Sequence, residues 1–226
     1  MMRRAGSGKD VLRAAGGILF SFCLILMLLI SSVEFVCYYI PGYFEREYLK
    51  YDVLKELPGV EMDGDGGLLA LTDHMMDYLR GSEDAPSLQF DVTVDGTPRP
   101  FFSERELLHM ADVRKLFIAA QQLRLGVAAL GALILILLRK CLFSSDRAFV
   151  RNLLQGMLRG TVLFFALAAV LGLICAVNFQ AAFVTFHHLF FSNDLWLLDP
   201  SVDWLIRILP QGFFFDTATS ILVVLC

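Results

Sequence analysis

Two stretches of the sequence contain histidines in settings that suit proton transfer. The stretch "ELLHMADVRKLF" carries His109 three residues before Asp112, and "FHHLFFSNDLWLLDP" carries His187 and His188. An imidazole titrates near neutral pH, so one histidine can take a proton from a nucleophile while a second acts as an acid or stabilises an oxyanion. Residues i and i+3 share a helix face, which brings Asp112 close to His109.

Several polar side chains near these histidines are candidates for orienting them, because a carboxylate that accepts the second ring N–H fixes the tautomer. These supporting candidates are Asp112, His188, Asn193, Asp194 and Asp199. Trp196 and Trp204 are predicted to be anchors at the membrane–water interface. His74 lies between two aspartates and is predicted on the solvated side of a helix.

A metal site is the competing chemistry, since imidazoles and carboxylates together can bind zinc. The residues that could supply ligands are His109, His187, His188, Asp194 and Asp199. However, no His-Glu-x-x-His pattern occurs, and two adjacent histidines on one helix are an awkward pair of ligands. The Gly-x-Ser-x-Gly turn of serine hydrolases is also absent from the sequence. We therefore expect neither a metal nor another cofactor.

The composition is that of a membrane protein. Hydrophobic residues make up 57% of the chain and the mean hydropathy is +0.63, whereas soluble domains are about 45–50% apolar. The net charge of −4 and the lack of a basic stripe or a nucleic-acid-binding motif argue against nucleic acid as a partner. The five cysteines have no metal-ligand spacing and are interpreted as small packing residues.

Three segments are apolar enough to span the hydrocarbon core, which takes about 20 helical residues. They are residues 16–37, 116–138 and 160–178. Basic residues precede the first, as in a signal peptide, but its apolar run is too long and no small-x-small cleavage site follows it. A fourth span begins at residue 213, yet 213–226 covers only about 21 Å. We expect this helix to be incomplete because the natural cytoplasmic tail is missing.

Basic residues set the predicted orientation. The N-terminal tail and residues 139–159 are rich in Arg and Lys, whereas acidic residues outnumber basic ones between the first two spans. Positive charge stays cytoplasmic, so the N-terminus is inside and residues 38–115 and 179–212 face outward. His109 and His187 are then expected in one layer at the outer interface of the cytoplasmic membrane, where polar groups are costly and indicate function.

The outer segment before the second span has a pattern of its own. The stretch "GGLLALTDHMMDYLRG" has apolar residues at helical spacing. The stretch "LQFDVTVDGTPRPFF" alternates apolar and polar residues up to Asp95-Gly96, which predicts a β-hairpin. Ser103 and Glu106 form a capping box that starts a helix leading into the second span.

The predicted fold is therefore an all-α polytopic membrane protein. It is a four-helix transmembrane bundle with an incomplete fourth helix and a small α+β extracytoplasmic cap between helices 1 and 2. The predicted segments are a cytoplasmic basic tail (1–15), transmembrane helix 1 (16–37), the cap (38–115), transmembrane helix 2 (116–138), a cytoplasmic basic loop (139–159), transmembrane helix 3 (160–178), an extracytoplasmic motif loop (179–212) and the start of transmembrane helix 4 (213–226).

The histidine motifs and the four-span plan together resemble the lipoprotein intramolecular transacylase (Lit) family of bacterial integral membrane enzymes. The resemblance rests on "ELLHMADVRKLF" before the second span and "FHHLFFSNDLWLLDPSVDWLIRILPQGFFFD" after the third. It covers nearly the whole chain. The incomplete fourth helix departs from the family plan.

This resemblance implies that the sn-2 acyl chain of a diacylglyceryl-cysteine lipoprotein moves to the α-amino group of the same cysteine, giving the lyso-form lipoprotein. It also implies two catalytic histidines, one in each outer segment, which correspond by motif position to His109 and His187. The implied partners are the lipoprotein substrate and membrane lipids. No nucleotide or metal is implied, because transfer from an ester to an amide is downhill.

Two other functions fit the same residues. A non-catalytic membrane protein that binds lipid or lipoprotein would tolerate the loss of either histidine, whereas a metal-dependent membrane hydrolase would be silenced by a chelator. For the transacylase itself, the sequence leaves open which histidine is the base and whether an acyl-imidazole forms.

Overall fold

The structure, a computed structural model, describes residues 8–61 and 67–226. The described chain divides into two compact units, residues 8–30 with 122–186 and residues 31–61 and 67–121 with 187–226. The helices are α1 (Gly8–Tyr39), α2 (Tyr43–Lys50), a 3₁₀ turn (Val53–Glu56), α3 (Gly67–Arg80), α4 (Glu104–Leu137, continued by a π-helical turn, Leu138–Leu142), α5 (Asp146–Val177), α6 (Phe179–Phe190), α7 (Leu205–Ile208) and α8 (Gln211–Leu225). The strands are β1 (Val60–Glu61), β2 (Asp91–Val94) and β3 (Thr97–Pro100).

Three helices of the described chain, α1, α4 and α5, are long and apolar enough to cross a membrane. This confirms the three complete predicted spans, and the chain is a membrane protein. The helix α8 is shorter, at 15 residues, so the four-helix arrangement stays a prediction.

The long helices extend well beyond the predicted spans. Helix α5 begins at Asp146, so most of the predicted cytoplasmic loop 139–159 is helical. Likewise, the first part of the predicted motif loop 179–212 forms α6. A span estimated from hydropathy ends where charged residues begin, but backbone hydrogen bonding continues through them. The predicted segment bounds stay predictions.

In the first unit, small residues let α1 and α5 approach closely. Gly156 lies against the backbone of Gly17, and Gly160 lies against the side chain of Ser21. A methyl group added at either glycine would overlap these atoms. Small residues four apart are a common interface between membrane helices, because there van der Waals contact replaces the hydrophobic driving force.

The second unit contains a three-stranded antiparallel sheet in the order β1-β2-β3. Asp95 and Gly96, which connect β2 to β3, have φ angles of 48° and 77°, as a two-residue hairpin turn requires. The predicted hairpin is thus confirmed, and so is the helix predicted over the "GGLLALTDHMMDYLRG" stretch, which is α3. The buried core joins α3 to its neighbours and includes Leu71, Met75, Leu79, Leu88, Phe101, Met110 and Ile208.

The start of α4 is fixed by the predicted capping box. The Ser103 backbone N–H donates to Glu106 Oε2 at 2.6 Å, and the Glu106 N–H donates to Ser103 Oγ at 3.3 Å. These two bonds satisfy N–H groups that lack partners in the first helical turn. The helix therefore begins at Glu104 and carries His109 ahead of the predicted span.

We predict that Gly156→Val destabilises the first unit, because the added side chain overlaps the Gly17 backbone. Overpacking of this kind costs about 1–3 kcal/mol. The variant should show a lower thermal unfolding midpoint in detergent and reduced accumulation in the membrane. Gly172→Val, on the same helix with open space around the added Cβ, is the matched control and should behave like the wild type. Equal stability of the two variants would contradict the close α1–α5 packing.

Candidate active site

The two predicted catalytic histidines lie beside each other in the second unit. His109 extends from α4 and His187 from α6, and their ring centroids are 6.0 Å apart with the planes tilted by 37°. Each side chain is only 7% exposed. The structure thus brings two imidazoles from distant parts of the sequence into one buried pair.

Aromatic rings enclose this pair. Phe191, one helical turn after His187, contacts His109 edge-on at 5.3 Å and His187 at 5.6 Å between centroids. The Trp196 indole stacks on His187 with centroids 4.7 Å apart and planes 29° apart. The ring of exposed His188 meets the same indole edge-on. His187 is therefore held inside an aromatic pocket, while His188 faces out of it.

Burial makes His109 a weak base. Burial is the main cause that lowers the pKa of His109 to about 4; the neighbouring His187 contributes to the lowering, whereas the Asp112 carboxylate acts in the opposite direction. Taking an imidazolium out of water is unfavourable, so His109 is neutral at neutral pH. Its Nδ1 is buried and has no hydrogen-bond partner among the residues that the structure describes. A buried polar atom of this kind is costly unless a ligand or water completes it.

Asp112 holds the following loop rather than a histidine ring. Its carboxylate accepts hydrogen bonds from Asn193 Nδ2 and from Lys115 Nζ, both at 2.8 Å. The bonds from Lys115 and Asn193 lower the pKa of Asp112, which stays ionised. Asn193 Oδ1 in turn accepts the Leu195 N–H at 3.1 Å. The carboxylate therefore joins α4 to the turn that leads to Trp196, and its charge acts on His109 through space.

The other two predicted aspartates make hydrogen bonds to other residues. Asp199 accepts hydrogen bonds from the N–H and the hydroxyl of Ser201, at 2.8 and 2.7 Å. Asp194 contributes its backbone carbonyl to a hydrogen bond from Arg105. Their role in orienting a histidine stays a prediction.

The two tryptophans predicted as interfacial anchors are both buried. Trp196 is 4% exposed and Trp204 is 7% exposed, so protein atoms cover both rings, and the anchor role stays a prediction. Trp196 covers His187, whereas Trp204 packs on Phe101 at 4.9 Å and lies under the Arg99 guanidinium. Their amphipathic character suggested the anchor role, but the turn after α6 folds them inward.

Sequence reasoning missed two residues of α4 that hold the loop. Arg105 donates hydrogen bonds to the carbonyls of Asp194 and Leu195. It precedes His109 and Asp112 by one and two helical turns, so these three residues form one face, here called the clamp face. That spacing of four and then three residues is visible in the sequence and would have indicated a shared surface.

Glu106 is the second residue that was missed as part of the site scaffold. Its side chain is 1% exposed, and it accepts N–H groups from Ser103 and Leu205, both at 2.6 Å. Burial raises the pKa of Glu106. Beside it, Asp203 accepts the Ser103 hydroxyl at 3.0 Å and the Asp199 N–H at 2.8 Å. The capping box suggested only a helix start, because the role of Glu106 depends on where the Leu205 backbone folds.

The described residues contain no group of three His, Cys, Asp or Glu side chains arranged to hold a metal ion. The adjacent histidines explain part of this, since His187 is buried and His188 is exposed. Chemistry that the described residues can perform themselves is thus proton transfer between a buried imidazole pair and a bound substrate.

Comparisons with known proteins agree with this architecture. The family model described as "Lipoprotein intramolecular transacylase Lit" matches residues 18–214. The structure of the membrane integral lipoprotein intramolecular transacylase Lit from Bacillus cereus is similar over 96% of this chain and 90% of that chain, with a TM-score of 0.68 and 22% identity. Two structures of that protein with a histidine replaced by alanine or by arginine give TM-scores of 0.67, cover 96% of this chain, and cover 88% and 86% of theirs. Identity of 22% shows a shared fold. No match was found among curated proteins.

The lowered pKa of His109 predicts a pH-dependent stability. Below pH 6.5 the unfolded chain binds a proton at His109, whereas the folded protein binds it only near pH 4. The free energy of unfolding should therefore fall as the pH is lowered from 6.5 to 4, by at most about 3 kcal/mol from this residue.

The measurement is chemical unfolding in detergent at several pH values, comparing wild type with His109→Phe. The variant should lose less stability across this range, while His188→Phe, which replaces an exposed ring hydrated in both states, should follow the wild type. Parallel curves for wild type and His109→Phe would mean that His109 is not kept neutral by burial.

Proposed function

Because this chain belongs to the lipoprotein intramolecular transacylase family, we propose that it moves the sn-2 acyl chain of a diacylglyceryl-cysteine lipoprotein to the α-amino group of that cysteine. The family consists of enzymes that act on lipoproteins. The observation that carries the finer proposal is the buried pair of His109 and His187, whose ring centroids are 6.0 Å apart. These two histidines act as the acid and the base.

The proposed reaction moves one proton from nitrogen to oxygen by way of the histidines and needs no other reactant. The neutral amine attacks the carbonyl carbon of the sn-2 ester, and a C–N bond forms. The amine then loses a proton to a histidine, the ester C–O bond breaks, and the departing sn-2 oxygen takes a proton. The products are an amide and a hydroxyl group on the same molecule. Free α-amino groups have a pKa of about 8, so a base is needed to keep the attacking nitrogen neutral.

The environment of the two histidines suits both the loss of the amine proton and the protonation of the departing oxygen. Burial keeps His109 neutral, and its Nδ1 lacks a partner among the described residues, so the ring can interact with a substrate atom. The enclosing aromatic rings exclude water, which strengthens every electrostatic contact within the site. Nucleophile and ester belong to one substrate, so holding them together supplies much of the rate enhancement.

The site is proposed to lie at the outer face of the cytoplasmic membrane, with the N-terminus in the cytoplasm. The basic residues of the N-terminal tail and of residues 139–159 support this orientation. A diacylglyceryl lipoprotein is held in the bilayer by its acyl chains, so its ester groups lie near the headgroups. His109 lies a short distance before the second predicted span, and His187 lies a short distance after the third. Both histidines would then be at the depth of these ester groups.

We predict that His109→Gln and His187→Gln each lower transacylase activity by about a hundredfold or more, as expected for loss of acid–base catalysis. Residues that act as a unit are not additive, so the double variant should be no worse than either single one. His74→Gln is the control, since His74 forms a hydrogen bond with the Ser87 carbonyl at 2.9 Å and has no contact with either histidine of the pair among the described residues. All variants should accumulate normally in membranes. Substantial activity in both single variants would contradict the two-histidine mechanism.

The route of the acyl chain is tested with a diacylglyceryl lipoprotein whose sn-2 chain carries an isotope label, in unlabelled phospholipid. Mass spectrometry of the product should show an unchanged total mass, with the label on the N-acyl group. An acyltransferase that uses phospholipid would add an unlabelled chain and raise the mass. A lipase would lower the mass and release labelled fatty acid. Either of these results would contradict the intramolecular transfer.

A further inference from the structure

Trp196 contacts the buried histidine pair on one side only. Its indole is nearly parallel to the His187 ring, with centroids 4.7 Å apart. His109 lies on another side of His187 at 6.0 Å, and the structure gives Trp196 no ring contact with it among the described residues. Two histidines of similar burial therefore have different neighbours, which can give them different roles.

An aromatic face distinguishes the two protonation states of an imidazole. The π-face of an indole is negative, so it attracts an imidazolium lying parallel to it. His187 has such a face beside it. His109 instead meets Phe191 in a T-shaped contact, with planes 71° apart and centroids 5.3 Å apart, and does not stack parallel to that ring. A positive charge is consequently more stable on His187 than on His109.

Charged and titratable groups near the pair include residues of two helices. On α4 they include Arg105, Asp112 and Lys115, of which Asp112 and Lys115 are bonded to each other at 2.8 Å. On α6, His188 has an exposed ring that meets the Trp196 indole in a T-shaped contact. The charge on Asp112 is shared with Lys115 and Asn193, so it does not reverse the preference set by the indole.

We propose that Trp196 is a positioning residue that makes His187 the proton acceptor, by holding its ring in plane and stabilising its imidazolium form. This inference rests on the proposed transacylase function. The amine proton passes to His187 as the C–N bond forms. The same proton returns from His187 to the sn-2 oxygen as the C–O bond breaks. Neutral His109 donates a hydrogen bond to the carbonyl oxygen while it carries negative charge.

The position of the indole is fixed from α4. Asn193 bonds to Asp112 and to the Leu195 N–H, and Arg105 bonds to the carbonyls of Asp194 and Leu195. These bonds hold the three residues before Trp196 against the clamp face. Because His109 lies on that same face, the clamp sets the distance between the two imidazoles and the stacking of the indole together.

The test compares the pH dependence of kcat for wild type, Trp196→Phe and Trp196→Leu, using the labelled lipoprotein in detergent. Loss of the indole face makes the imidazolium less stable and lowers the pKa of His187. The acidic limb of the profile should therefore move to lower pH, by up to about one unit in Trp196→Leu and by less in Trp196→Phe. The maximal kcat should fall by about tenfold in the leucine variant, because a weaker base is less effective.

Trp204→Phe is the matched control, because it removes a second buried indole that packs on Phe101 rather than on a histidine. It should keep the wild-type acidic limb. An unchanged limb in both Trp196 variants would overturn the inference, whether or not kcat falls. If Trp196→Leu fails to fold, Trp196→Phe decides alone.

NMR titration of the His187 ring nitrogens separates this inference from the proposed function, because it requires no turnover. The pKa of His187 should decrease in the order wild type, Trp196→Phe, Trp196→Leu. This order, found in a protein that does not transfer acyl groups, would uphold the role of Trp196 while removing the transacylase proposal. Transfer by the wild type with no change in the pKa of His187 would do the reverse.

Discussion

The hydrogen bonds by which α4 holds the turn after α6 are the constraint on which the rest of the site depends. Arg105 and Asp112 hold that turn from either side of His109, through the carbonyls of Asp194 and Leu195 and through the amide of Asn193. Charge-assisted hydrogen bonds of this kind are stronger than neutral ones. With these hydrogen bonds in place, Trp196 stacks on His187, and His187 lies beside His109. Without them, no single contact would keep the two imidazoles 6.0 Å apart.

These hydrogen bonds also control the electrostatics of the His109–His187 pair. Both histidines are buried, and burial is the main cause that lowers the pKa of His109 to about 4, with a further contribution from His187. Burial alone would disfavour charge on either ring. The parallel indole offsets this for His187, since the π-face of an aromatic ring attracts a cation. A buried, nearly symmetric pair thus becomes an asymmetric one, as acid–base catalysis requires of two groups with opposite tasks.

The sequence predicted those features that depend on local chemistry. The hairpin at Asp95-Gly96 and the capping box of Ser103 and Glu106 follow from turn and cap preferences, and α1, α4 and α5 follow from apolar runs. What it could not predict depends on backbone direction after α6: nothing in "NDLWLLDP" reveals that the chain buries Trp196 against His187. The membrane layer of the pair stays a prediction from topology, whereas the partners of the two rings required the fold.

Helix continuity links both histidines to segments that are apolar enough to span a membrane. Helix α4 has 34 residues, or about 50 Å, against about 30 Å for the hydrocarbon core. His109 lies on this helix about 10 Å before the predicted span begins. On the other side, Asn178 ends α5 and its side chain accepts the Ala181 N–H at 2.9 Å, starting α6 without an intervening loop. Each histidine is thus carried by a helix that continues or directly follows a membrane helix. For the proposed reaction this matters, because acyl chains fix the depth of the substrate ester, and a catalyst on flexible loops would lose the alignment that intramolecular transfer depends on.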